Sequence, residues 1–250
     1  MQVTTRHTPS FGVARLGLGS NESVRVESGA MMAMASGVNL VSKAEGGIFK
    51  SLKRAAMGGE SFFLTTYHAP EGGGWVDVAP RLPGDLVAIP MGETGSWVIS
   101  KGSWLASEPS IELDAKWGGF KNLFGSEGGF VVRASGVGNL ILACYGALDA
   151  WDLAAGETIT VDTGHMVAYQ DSVQMTLRKV TGGMVQSVKS GEGLVFDFVG
   201  PGRVYTQTRN PNELVSWIGA ALGTSNSGGG AGPLGAVAGL GALGGLLSRD

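Results

Sequence analysis

A chain of 250 residues with 43% apolar side chains carries enough hydrophobic material for a packed core, which excludes an intrinsically disordered protein. The net charge is −3 and the 18 Lys and Arg are scattered, which argues against a polyanion-binding surface, so nucleic acid is not the expected partner. Its 43 glycines follow no G-X-Y period, which excludes collagen and implies many tight turns between short strands.

Met1 to Gly19 spreads Arg6, His7, Pro9 and Arg15 among single apolar residues, so this stretch does not read as a secretory signal peptide. The single cysteine, Cys144, lies in the apolar run Leu140 to Tyr145 and reads as a small buried hydrophobe; no disulfide within the chain is available. A reducing compartment fits, and the cytoplasm is the expected location.

From about residue 20 the chain repeats one pattern three times, and the predicted strands follow from it. In the first copy Val24 and Val26 alternate, Gly29-Ala30-Met31-Met32-Ala33 turns into a second strand, and Val38 alternates with Leu40. Gly46-Gly47-Ile48-Phe49 opens a second hairpin-like connection, Gly58-Gly59-Glu60 turns into Phe62-Phe63-Leu64, and Gly72 to Gly74 precedes Val76 and Val78. The second copy runs Trp97 and Ile99, Gly102-Ser103-Trp104-Leu105-Ala106, Ile111 and Leu113, Gly118-Gly119-Phe120, Glu127-Gly128-Gly129, Phe130-Val131-Val132, then Gly136 to Gly138 before Leu140 and Leu142. The third runs Ile159 and Val161, Gly164-His165-Met166-Val167-Ala168, Val173 and Met175, Gly182-Gly183-Met184-Val185, Gly191-Glu192-Gly193, Leu194-Val195-Phe196, then Gly200 to Gly202 before Val204 and Thr206. Each copy opens as strand, glycine turn, strand, with Gly29, Gly102 and Gly164 at the equivalent turn. The copies span about 20–80, 81–148 and 149–210. A module of four or so short strands cannot bury its apolar face alone, so the predicted fold is all-β, with three repeated modules sharing one core in a pseudo-threefold sandwich or barrel.

Asn210-Pro211-Asn212-Glu213 reads as a helix start, with Asn as N-cap, Pro at the first position and Glu completing a capping box. Leu214, Val215, Trp217, Ile218 and Leu222 give the helix an apolar stripe, and Gly223 can cap its far end. Residues 1–222 are therefore expected to form one β domain closed by a helix at 211–222 that docks on it. Residues 223–250 read as a flexible Gly/Ala/Leu-rich tail. Within it, Gly235 with Gly239 and Gly241 with Gly245 match the small-xxx-small spacing of membrane helices, at the short limit for a span. The tail is expected to matter for association, with a membrane surface, a membrane protein or another copy as its partner, and not for folding.

Asp162-Thr163-Gly164 looks like an aspartic protease signature, but such sites need two copies to share a proton. The aligned triplets are Glu27-Ser28-Gly29 and Ser100-Lys101-Gly102, so the segment reads as the turn of the repeat. His7, His68 and His165 have no second His or acid two residues away, no G-x-S-x-G elbow occurs, and no phosphate-binding glycine loop precedes a helix. No catalytic residue, metal ligand or cofactor is therefore expected. Lys50, Lys53 and Arg54 form a basic cluster. A solvated loop face is its ordinary reading, and contact with an anion or lipid head group is the functional one.

Several stretches carry a family resemblance: Met31-Met32-Ala33-Met34, Gly46-Gly47-Ile48 through Lys53-Arg54, Gly59-Glu60-Ser61-Phe62-Phe63, Val161-Asp162-Thr163-Gly164-His165, Gly191-Glu192-Gly193-Leu194-Val195, and Gly200-Pro201-Gly202-Arg203-Val204-Tyr205 with Gln207-Thr208-Arg209. Together they resemble, over about residues 20–218, the bacterial and mitochondrial family named for altered inheritance of mitochondria protein 24. The resemblance implies a fold like that of the tryptophan RNA-binding attenuation protein, a β-sandwich related to the double-stranded β-helix, and it implies oligomers and no enzyme activity. The mitochondrial member is associated with the complex that shapes the inner membrane. The expected function is a non-enzymatic oligomeric scaffold or adaptor, cytoplasmic and peripheral to a membrane. The alternative is a small-ligand or nucleic-acid binding module that uses a crevice between repeats.

Overall fold

The computed structural model describes residues 1–41, 64–92, 95–100, 102–116, 131–180 and 194–223, apart from the side chains of Val41, Ala115 and Lys116. The chain divides into two units, Met1–Arg209 and Asn210–Asp250.

In the first unit, among the described residues, β1 (Gln2–Arg6) precedes three modules of six strands each. The first contains β2 (Val13–Leu18), β3 (Ser23–Glu27), β4 (Met31–Met34), β5 (Asn39–Val41), β6 (Leu64–His68) and β7 (Gly74–Val78). The second contains β8 (Leu86–Met91), β9 (Trp97–Ser100), β10 (Trp104–Ser107), β11 (Ile111–Lys116), β12 (Val131–Gly136) and β13 (Gly138–Ala143). The third contains β14 (Leu148–Leu153), β15 (Thr158–Asp162), β16 (Met166–Gln170), β17 (Gln174–Lys179), β18 (Leu194–Val199) and β19 (Gly202–Gln207). Alternation drives these strands: β3 buries Val24 and Val26 completely and leaves Ser23, Arg25 and Glu27 partly exposed.

In every module the first, sixth and third strands form one half-sheet, and the fourth, fifth and second form the other. Side chains from both halves meet in one core; Leu16 and Val76 from one half join Val24 and Tyr67 from the other in module one. The halves also continue between modules, because β3 pairs with β10 and β9 with β16. Two six-stranded sheets result, β5-β6-β3-β10-β13-β8 and β11-β12-β9-β16-β19-β14, each built half from one module and half from the next. A four-stranded sheet, β1-β2-β7-β4, and a three-stranded sheet, β15-β18-β17, hold the remaining described strands.

Of the two expected architectures this is the sandwich, since among the described residues the strands fall into four separate sheets and not one closed barrel. The threefold ring that would give every copy the same neighbours is open at one seam: among the described residues β4 pairs only with β7, and β15 only with β18. Modules of six strands replace the four or so expected, because β2, β8 and β14 precede the repeated glycine turn. Their sequences, VARLGL, LVAIPM and LDAWDL, share no motif that alignment on the turn would catch. The repeated Gly-pair segments fall in 42–63, 117–130 and 181–193, outside the described residues.

In the second unit α1 (Pro211–Ala221) starts as its sequence specifies, with the Asn210 side chain accepting the Asn212 N–H at 2.9 Å and Pro211 in the first turn. None of its residues is buried. Residues 224–250 lie outside the described residues.

Candidate functional site

Gly29 and Gly102 sit between the second and third strands of their modules at φ +88° and +81°, a shape that costs an L side chain strain. Gly164 holds the same place differently. It lies in a 3-10 turn, Thr163–His165, and its N–H donates to the Asp162 carboxylate at 2.8 Å. The aspartic acid of the protease-like triplet is thus a turn cap. Lys50, Lys53 and Arg54 lie outside the described residues.

The densest ionic centre was not singled out by its sequence. Asp77, only 2% exposed, accepts Arg6 through both oxygens at 3.2 and 2.7 Å and Arg15 likewise at 2.8 and 2.9 Å. The Arg15 guanidinium also lies 3.9 Å from the centre of the Trp75 ring. Hydrogen bonds from Arg15, with those from Arg6, hold the Asp77 carboxyl down at about 2. The available signal was an acid in the alternating strand Val76-Asp77-Val78, but its partners stand 71 and 62 positions away. Module three has two smaller ionic centres: Arg203 grips both oxygens of Asp152 at 2.5 and 2.6 Å, and Asp197 accepts Thr160 and Arg178. Each ties neighbouring strands together.

The histidines stay apart in their bonding. His7 occupies the left-handed region at φ +59°, the His68 Nδ1 is 2.9 Å from Ser23 Oγ, and the His165 Nδ1 is 2.7 Å from the Gln207 carbonyl. Among the described residues no group of three or more His, Cys, Asp or Glu is placed to hold a metal. Cys144 is buried, and desolvation pushes its thiol up to about 11, far from a reactive thiolate. No helix among the described residues is long and apolar enough to cross a membrane, which says nothing about strands.

Where modules meet, apolar side chains take over. Ile141 and Leu105 of module two pack into the core of module one, and Tyr205 and Val167 of module three into that of module two. Tyr205 stacks on Trp97 there, with ring centres 5.3 Å apart.

Such a molecule is an all-β protein of repeated sandwich modules whose charged groups pin strands and whose apolar groups join modules. Residues 3–209 match the family described as mitochondrial biogenesis AIM24, and the chain belongs to that family. It is similar to an uncharacterized protein of Streptococcus pyogenes serotype M6, 29% identical over 235 residues that make up 91% of this chain and 93% of that protein. It also resembles the crystal structure of protein SPYM3_0169 from Streptococcus pyogenes, with a TM-score of 0.73 and 26% identity over 88% of this chain and 99% of the other.

Proposed function

We propose that the chain is a non-enzymatic oligomeric scaffold or adaptor, cytoplasmic and peripheral to a membrane. The observation that carries this reading is how its polar groups are used. Asp77, Asp152 and Asp197 carry lowered pKa values, and each is explained by an arginine that fastens it to a neighbouring strand. Catalytic sites gather groups with opposed shifts in one cleft, whereas these three are distributed over separate strand pairs. Sandwich modules joined through shared sheets, with these three acids committed to holding strands together, suit a protein that presents surfaces. Native mass spectrometry of the full chain purified from its own cell tests this. A mass at a multiple of the chain, or with a stoichiometric protein partner, is the expected result; one small molecule held per chain would remove the reading.

A further inference from the structure

The two junctions inside the chain share one register. Ala106 stands opposite Val26 and Ser107 opposite Arg25 at the first; Ala168 stands opposite Ile99, Tyr169 opposite Val98 and Gln170 opposite Trp97 at the second. In both, the alanine four residues after a turn glycine meets the apolar residue three before the preceding module's turn glycine. The sequence contains a third pair of strands of the same two kinds, β4 and β15, and among the described residues both end a sheet.

Both strands also show what is missing beside them. Leu105 and Val167 are 0% exposed, while Met32 at the same place in β4 is 53% exposed. Val24, Val26 and Ile99 are fully buried, while Ile159 and Val161 of β15 are only partly so. The other strands that end sheets are guarded as edges usually are. Arg6 guards β1, Pro90 β8, Asp114 β11, Asp149 and Asp152 β14, and Arg178 and Lys179 β17, while β5 has three residues. Met31-Met32-Ala33-Met34 has no charge, and the one charge of β15, Asp162 at its last residue, is turned back onto the Gly164 N–H.

We propose that β4 of one copy pairs antiparallel with β15 of a second copy, Ala33 opposite Val161, Met34 opposite Thr160 and Ala35 opposite Ile159, so that the internal junction is repeated between chains. This rests on the oligomeric reading above and names its surface. The contact uses two different edges, so copies add head to tail and either close a ring or extend. It is weaker than the internal junctions, because Asp77 with its two arginines occupies the place that Ile141 and Tyr205 fill with apolar atoms.

Full-length Ala33→Cys and Val161→Cys chains test the register, since the native Cys144 is buried and protonated. After mild oxidation, an equimolar mixture should give a disulfide-linked dimer band that neither variant gives alone, and the double variant should give a ladder. An internally linked monomer from the double variant would mean that the seam closes within one chain and would overturn the proposal. So would no link at all in variants that melt like the parent, or equal dimer from either single variant. Light scattering of the unmodified chain provides the second measurement: mass should rise with concentration, and a strictly monomeric mass throughout also overturns it. A bound small molecule in the native mass would instead sink the scaffold reading and leave a heterodimeric cross-link standing.

Discussion

Asp77, Ile141 and Tyr205 occupy one position in three copies of the module, on the sixth strand opposite Arg15, Ala88 and Ala150 respectively. Ile141 is wholly buried against module one, and Tyr205 is stacked on Trp97 of module two. Asp77 has no module before it, and arginines from β1 and β2 cover it instead. The backbone repeats while the chemistry follows the neighbour within the chain: apolar where a module of the same chain packs, ionic at the end where none does.

Exchanging these solutions should be most costly at an internal junction. Ile141→Asp would bury a carboxylate with no arginine beside it, and urea denaturation should show a loss of about 4 kcal/mol or more, or a chain that no longer folds. Asp77→Asn should cost about 2 kcal/mol at neutral pH, as Arg6 and Arg15 are left facing one another with a neutral partner. The parent chain provides a pH test of the same centre. Its Asp77 carboxyl falls from 3.8 to about 2 on folding, so the stabilisation is complete above about pH 4 and disappears as pH drops through 2. That slope corresponds to at most about 2 kcal/mol, less at high salt, and the Asn variant should lack it when unfolding is followed between pH 5 and pH 2. Tyr205→Leu, which keeps an apolar residue but removes the stacking on Trp97, should cost about 1 kcal/mol in the same assay.

The smallest contrast concerns the turns. Gly29→Ala and Gly102→Ala should each lose about 1 kcal/mol, because both glycines are in the left-handed region with open space around the missing Cβ. Gly164→Ala should lose less, its φ lying outside that region. Thermal melts of the three variants side by side would show whether one repeat position tolerates two turn designs.

The sequence made most of the strand plan legible because period-2 burial is local. Val24 with Val26, and Ile111 with Leu113, announce their own buried faces. The capped start of α1 was readable for the same reason, since Asn210 and Pro211 act within one turn. What stayed hidden depends on residues far apart. The strands β2, β8 and β14 are recognised only by pairing with β7, β13 and β19, and the Asp77 centre gathers groups from β1, β2 and β7. The choice between a closed and an open arrangement is set by which edges meet, and hydrophobic spacing alone carries no information about that.

Because β3 bonds to β10 and β9 to β16, the links 79–85 and 144–147 between modules are not what joins them. Cutting the chain within 79–85 would leave two pieces still fastened by a ladder of main-chain hydrogen bonds and a common core. The protein is therefore divisible in covalent terms at the places where it is indivisible in mechanical terms. Halves made separately, one ending at Ala79 and one beginning at Asp85, should act as a complementary pair that regains the full set of sheets on mixing.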